Sequence, residues 1–359
     1  MTDGRRRAFI GSFTAAGGPG IVTVSVALDD GALTVLGALN DLPDPSCLTL
    51  SPDGRTLYAV SETAEGAVAA YRVPGAGAGD VPEPVGSPVT VHGDGPTHLC
   101  VFAGHVLTAN YGSGSVTAVP VRTDGGLGRS ASGVFRHTGS GPHPQRQQGP
   151  HAHQVLPDPS GRWAVGVDLG TDSVRVYTLA DGAPAQHREV ALRPGSGPRH
   201  LAFHPDGARA YVLNELSPTL VVCRWDATEG ELRPLAEIPV LPGPPAGDAY
   251  PSGVAVSPDG RFVWTATRGE DVLSVLAVEG HADGGAGTAG AAGMAGLRLT
   301  ATVPCGGHWP RALTESRGFL YVANERSGDV TWFAVDPDTG APRRGGAIPV
   351  AAASCVVVD

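Results

Sequence analysis

Short apolar runs with every second residue turned the other way recur along this chain, separated by Gly/Pro turns. Six segments share one plan: a proline, a short apolar strand, often a turn, then a second strand. They open at Pro45, Pro96, Pro150, Pro198, Pro251 and Pro310, so successive prolines lie 51, 54, 48, 53 and 59 residues apart. Leu48-Thr49-Leu50 and Val254-Ala255-Val256 show the two-residue alternation of strands. SPDG at 51–54 and 257–260, and HPDG at 204–207, supply turns in which Pro fixes φ and Gly accepts positive φ. Third strands follow, as in SVTAVPV (115–121), SVRVYTL (173–179) and DVTWFAV (329–335). A period near 50 with several strands per repeat predicts propeller blades.

The ends supply a seventh repeat. FIGSF (9–13) matches the second strand YVLNE (211–215), and ASCVVV (353–358) matches the first strand PSCLTL (45–50). The pattern predicts an all-β, seven-bladed β-propeller of four-stranded antiparallel blades. Its C-terminal strand should join the N-terminal blade, which closes the ring and removes an exposed sheet edge. Residues 1–359 are expected to form one domain, with a flexible Gly/Ala insertion at 283–296 and a possible lid loop at 139–149.

Composition agrees. With 52 Gly and 32 Pro, the chain carries too many breakers for a helical fold. The formal charge is −10 and every basic side chain is Arg, which argues against nucleic acid or an anionic membrane as partner and leaves room for a local basic pocket. Five scattered cysteines without CxxC spacing favour reduced thiols. The apolar run after Met1–Arg7 is too short for a signal peptide, and no stretch approaches the roughly 18 apolar residues of a membrane span. A cytoplasmic protein, monomeric or weakly dimeric, is expected.

Aligning the repeats on their prolines isolates the unusual positions. The residue after each proline gives Ser46, Thr97, His151, Arg199, Ser252, Arg311 and Ser354. The exit of the second strand gives Ser12, Ser61, Asn110, Asp168, Asn214, Thr267 and Asn324, and one residue further lie Phe13, Glu62, Tyr111, Leu169, Glu215, Arg268 and Glu325. These positions share the face near the channel. Capping explains the plain polar members. It does not explain His151, Arg199, Glu215 and Arg268 in neighbouring repeats, because converging guanidinium groups repel unless an anion sits among them. In this alignment His153 falls among aliphatic ring mates, so a core histidine and a site residue both remain open. His151, His153 and Glu215 would be a metal set, but H-x-H alone is a weak zinc signal, and no metal is expected.

The segments GPHAHQV (149–155), GPRHLAFHPDG (197–207) with YVLNEL (211–216), YPSGVAVSPDGRF (250–262) and the loop before the histidines resemble the lactonase family of seven-bladed propellers. That family includes bacterial 6-phosphogluconolactonases and fungal carboxymuconate lactonizing enzymes. The resemblance implies a site at His151, Arg199, Glu215 and Arg268. The chain departs from the family's usual Asn-Arg-Gly at Thr267-Arg268-Gly269, and from its usual Asn at His143.

The reaction expected is hydrolysis of a small anionic lactone, for instance a sugar-acid lactone of carbohydrate metabolism, without a cofactor. Glu215 or His151 would be the general base, while Arg199 and Arg268 would stabilise the oxyanion. Arg311 and Arg146 could hold a remote carboxylate or phosphate, with His153, Asn110 and Asp168 as further substrate contacts. The alternatives are a muconate-type cycloisomerase using the same basic pocket, and a non-catalytic propeller that binds proteins.

Overall fold

A computed structural model describes residues 5–75, 79–279 and 296–359. Seven antiparallel sheets account for nearly all of the regular structure, and one 3-10 turn at Thr14–Ala16 is the only helical element among the described residues. Blade 1 pairs the C-terminal strand Ala353–Val358 with Arg5–Ser12, which continues into Ile21–Ala27 and Leu33–Leu39. The expected ring closure is therefore present. The inner strands of blades 2 to 7 are Leu48–Leu50, Pro96–Phe102, Ala152–Pro157, Pro198–Phe203, Tyr250–Val256 and Pro310–Ser316. Each touches its neighbours, and the last touches Ala353–Val358, which in turn touches Leu48–Leu50. Most of the 283–296 insertion lies outside the described residues.

Apolar faces of adjacent blades form the core. Between blades 4 and 5, Val165, Val167, Val174 and Val176 meet Leu201, Val212 and Trp225. At the closure, Ile10, Val24 and Val356 of blade 1 meet Tyr321 and Val330 of blade 7. Each such aliphatic side chain is worth about 1.5–3 kcal/mol when fully buried, so the ring is held by packing all the way round. Among the described residues no helix is long and apolar enough to cross a membrane.

One feature of the backbone positions the site and corrects the proline alignment. At the start of the inner strands the register slips by one residue, between Pro198 and His200, Pro251 and Gly253, and Pro310 and Ala312. Such bulges turn a side chain out of the ladder. In blade 4 the slip lies between Ala152 and Gln154, with Ala152 opposite Asp168 as Pro198 is opposite Asn214. The structural counterpart of Arg199 is thus His153, not His151, and the aliphatic counterpart of Leu201 is the fully buried Val155. His151 sits in the loop just ahead of its strand. The reason is local: Pro150 precedes the pairing site by two residues in this blade, whereas in its neighbours the proline itself pairs.

Candidate active site

Thr97, His153, Arg199, Ser252, Arg311 and Ser354 are the bulged residues of this ring, with Ser46 in the same place in blade 2, and all but Ser252 line the channel. The residues just beyond the second strands line the same rim. The two sets meet in a cluster around Glu215, which is 2% exposed. Arg146 donates to Glu215 Oε1 at 2.6 Å. Arg199 Nε and Arg268 Nη2 lie 3.0 and 2.7 Å from Oε2. Both Oε2 approaches are within ion-pair reach but off hydrogen-bonding geometry, so these three buried atoms have no hydrogen-bond partner in the protein.

Electrostatics follows from that packing. Burial would raise the Glu215 pKa, but Arg268, Arg199 and Arg146 outweigh it and hold the carboxyl at about 2. Burial, then the nearby Arg268, pulls Arg199 down to about 9, against the attraction of Glu215. Arg268 is lowered as well, mainly by burial, while Arg146 is raised because Glu215 and Tyr111 together outweigh burial. Arg268 also donates to the Tyr250 carbonyl at 3.2 Å and lies over the Trp309 ring, 5.5 Å from its centre.

A second cluster occupies the opposite side of the ring. Arg311 Nη1 donates to Glu325 Oε2 at 3.1 Å, its Nη2 is 3.5 Å from Glu62 Oε1, and its guanidinium lies 4.7 Å above the Phe13 ring. Burial raises the Glu62 pKa, with Arg311 and the Ser46 hydroxyl opposing. Across the two clusters four guanidinium groups face three carboxylates, leaving one positive charge in excess.

His151 stacks on Tyr111 with ring centres 4.4 Å apart, and its Nδ1–H donates to the Tyr111 carbonyl at 2.8 Å. That bond places the proton on Nδ1 and leaves the Nε2 lone pair free in the neutral ring. The Tyr111 hydroxyl accepts from Arg146 at 3.1 Å, which ties His151 to the Glu215 cluster through one side chain. The 139–149 loop delivers Arg146. Its buried Gln147 donates to the Leu169 carbonyl at 2.8 Å and accepts from the His143 amide at 3.0 Å, so the segment is a pinned turn and not an unanchored flap.

Asn110 and Asp168 are engaged in bonds within the protein. Both are fully buried. Asn110 bonds Ser115, Thr117 and Thr108, each at 3.0 Å. Asp168 accepts from the His151 and Thr171 amides at 2.9 and 3.0 Å, and its other oxygen meets His137 at 2.5 Å, with Tyr177 behind at 2.6 Å. Strand-exit residues elsewhere serve the same fastening purpose, as Asn324 does toward Asp329 at 2.8 Å. These residues are polar because they fasten strand ends. Asp168 acts on the site at one remove, by fixing the backbone of His151. His151, His153 and Glu215 do not form a metal set: among the described residues no three His, Cys, Asp or Glu groups are placed to hold an ion.

Next to Arg199 and Arg311 lies an axial cavity of about 190 Å³, lined also by Glu62, His98, His153 and His200. Glu62, Glu325, Tyr111, His98 and His200 were absent from the sequence-derived site. Glu62, Tyr111 and Glu325 share the position of Glu215, and that positional identity was the signal available for them.

The comparisons with known proteins agree with this geometry. The family described as "Lactonase, 7-bladed beta-propeller" matches residues 7–358. A 6-phosphogluconolactonase of Bacillus subtilis is 32% identical over 92% of each chain. One from Formosa agariphila is 29% identical over 92% of this chain and 93% of its own. The solved periplasmic gluconolactonase of Pseudomonas aeruginosa superposes with a TM-score of 0.88 at 30% identity, covering 99% of both chains. A match over almost the whole length, on a ring built as that family's is, makes this chain a member of the lactonase family of seven-bladed β-propellers and a lactone-hydrolysing enzyme.

Proposed function

We propose that the chain hydrolyses an anionic sugar-acid lactone beside the axial cavity, with His151 as general base and Arg199 and Arg268 as oxyanion stabilisers. The observation that carries this reading is the clamping of Glu215 by three guanidinium groups. It separates the two candidates for the base. A carboxylate held at about 2 is a poor proton acceptor near neutral pH. His151, with its proton fixed on Nδ1, offers Nε2 to a water.

The steps balance without any further reagent. His151 Nε2 takes a proton from water as the hydroxide oxygen bonds to the lactone carbonyl carbon. The carbonyl oxygen becomes an oxyanion, opposed by Arg199 and Arg268. Collapse restores the carbonyl and breaks the bond to the ring oxygen, which receives the proton from His151 and leaves as the hydroxyl of the open hydroxy acid. Glu215 acts as the fixed counter-charge that lets the guanidinium groups stand together. The single excess positive charge favours a substrate carrying an anionic group.

The test is a turnover panel of glucono-δ-lactone, its 6-phosphate, uncharged aliphatic lactones and cis,cis-muconate. Ring opening is followed by proton release and muconate by ultraviolet absorbance. Opening of the sugar-acid lactones with kcat/KM highest for the phosphorylated one is expected. Conversion of muconate with inert lactones would overturn the reading.

A further inference from the structure

The bulged ring contains one residue that its neighbours do not resemble. Five of its seven members are tied down by their own side chains. Thr97 donates to the His153 carbonyl at 3.1 Å, Arg199 to the Ser252 carbonyl, Ser252 to the Pro310 carbonyl at 2.5 Å, and Ser354 to the Ser46 carbonyl at 2.8 Å, each reaching the next inner strand. Ser46 donates to Glu62, and a sixth member, Arg311, is held by Glu62 and Glu325. His153 is the exception. It is 6% exposed, it borders the cavity, and its Nδ1 has no hydrogen-bond partner in the protein.

Two more imidazoles stand beside it. The His200 ring meets His153 edge-on at 5.3 Å and His98 at 5.7 Å, and His98 Nδ1 is likewise buried without a partner. Arg199 donates to His200 Nε2 at 3.3 Å, which puts the His200 proton on Nδ1. Burial, reinforced by Arg199, lowers all three, His98 to about 4 and the other two well below the ordinary histidine value. Each is therefore a neutral ring at pH 7: His98 and His153 carry one N–H and one lone pair, while His200, its lone pair taken by Arg199, offers its N–H. An alcohol has the same donor-and-acceptor pairing. A metal ion would meet the Arg199 charge at this wall, and a phosphate would find only single donors there. An alkyl chain would leave the imidazole nitrogens unsatisfied.

We infer that His98, His153 and His200 form a hydroxyl-reading wall, so that the axial cavity binds the polyhydroxylated chain of the substrate while Arg311 faces its anionic group. This rests on the sugar-acid reading above and assigns residues to its polyol part.

Equilibrium binding by calorimetry at pH 7.5 tests it without relying on turnover. Gluconate and pentanoate serve as probes, being carboxylates of similar chain with and without hydroxyls. Wild type should bind gluconate at least 10-fold tighter. His153→Leu and His98→Phe should each shrink that ratio by roughly 3- to 10-fold, as expected for one lost hydrogen bond, with pentanoate affinity equal to or tighter than in wild type. His153→Gln, which keeps a donor and an acceptor, should restore part of the ratio. If His153→Leu fails to fold, His98→Phe, on the less buried ring, carries the test. Equal affinity for the two probes in wild type, binding of neither, or an unchanged ratio in the variants overturns the inference. Discrimination by a protein that opens no lactone would remove the hydrolysis reading and leave the wall. Lactone turnover without discrimination would do the reverse.

Discussion

Replacing Glu215 by Gln tests the electrostatic core of the site, because Gln reproduces the protonated acid in shape and hydrogen bonding but removes the charge. A carboxyl moved from an ordinary value near 4.3 to about 2 contributes about 3 kcal/mol at neutral pH. Loss of one partner of a buried ion pair gives a similar figure, about 3–5 kcal/mol. The sign is fixed by the direction of the shift. A depressed carboxyl stabilises the folded state above its unfolded pKa, and that contribution fades as pH falls through the folded value. The gap between wild type and Glu215→Gln should therefore be about 3 kcal/mol at both pH 7 and pH 5, and about half that at pH 3. For 359 residues, an unfolding entropy of about 2.1 cal/mol/K per residue converts these to roughly 4 °C and 2 °C in Tm. Calorimetric melts of both proteins at the three pH values measure it. A variant that melts with wild type at pH 7, or a gap that does not shrink by pH 3, would mean that Glu215 is not holding the guanidinium groups together, and the site as described would be wrong.

Four other outcomes follow from the geometry. His151→Asn should lower kcat for lactone opening by about 100-fold or more with little change in Tm, since the ring is the proposed base and stacks on Tyr111; steady-state kinetics decide it. Asp168→Asn should cost about 1–3 kcal/mol in urea unfolding through its bonds to His137 and two amides, and should lower kcat while leaving KM near wild type, because it fixes His151 and does not touch substrate. Arg311→Gln should raise KM for an anionic lactone about 10-fold or more, since it removes a charge facing the cavity and pushes Glu62, already raised, further up; an uncharged lactone measured in parallel should be far less affected. Truncation after Val350 removes the strand that closes blade 1 and should give a protein that aggregates in size-exclusion chromatography.

The fold was legible because the features that specify it are local and repeated. SPDG turns, leading prolines and alternating triplets each report on a few residues, and seven repetitions make the sum unambiguous. The site was legible only in part. His151 and His153 lie two apart, so both suit the same strand face, and either could follow the repeat proline. Only cross-strand pairing shows that Ala152, not Pro150, takes the anchoring place. Asn110 and Asp168 show a different limit. A buried polar residue at a strand exit looks the same in sequence whether it faces a ligand or fastens a neighbouring turn. Glu62 and Glu325 could be seen beside Glu215 in the alignment, but which arginine each would meet is a long-range property.

The division of charge around the ring explains why a repeat fold can hold such a site at all. Seven near-identical inner strands would offer seven near-identical rims, and a symmetric rim cannot orient an asymmetric substrate. Here blades 3 to 6 supply Tyr111, His151, Arg199, Glu215 and Arg268, while blades 7, 1 and 2 supply Arg311, Glu325, Phe13 and Glu62. The first arc carries an available imidazole nitrogen and guanidinium atoms with unspent hydrogen-bonding capacity. In the second arc Arg311 is bracketed by two carboxylates and lies over a phenyl ring, an arrangement that fixes its position. In the proposed reaction, chemistry falls to the arc with spare donors and acceptors, and anchoring to the arc whose cation is held in place. A lactone carbonyl directed at the first arc, with its anionic group at the second, satisfies both arcs. The reverse orientation puts the carbonyl beside Glu62 and Glu325, where a developing oxyanion would be repelled.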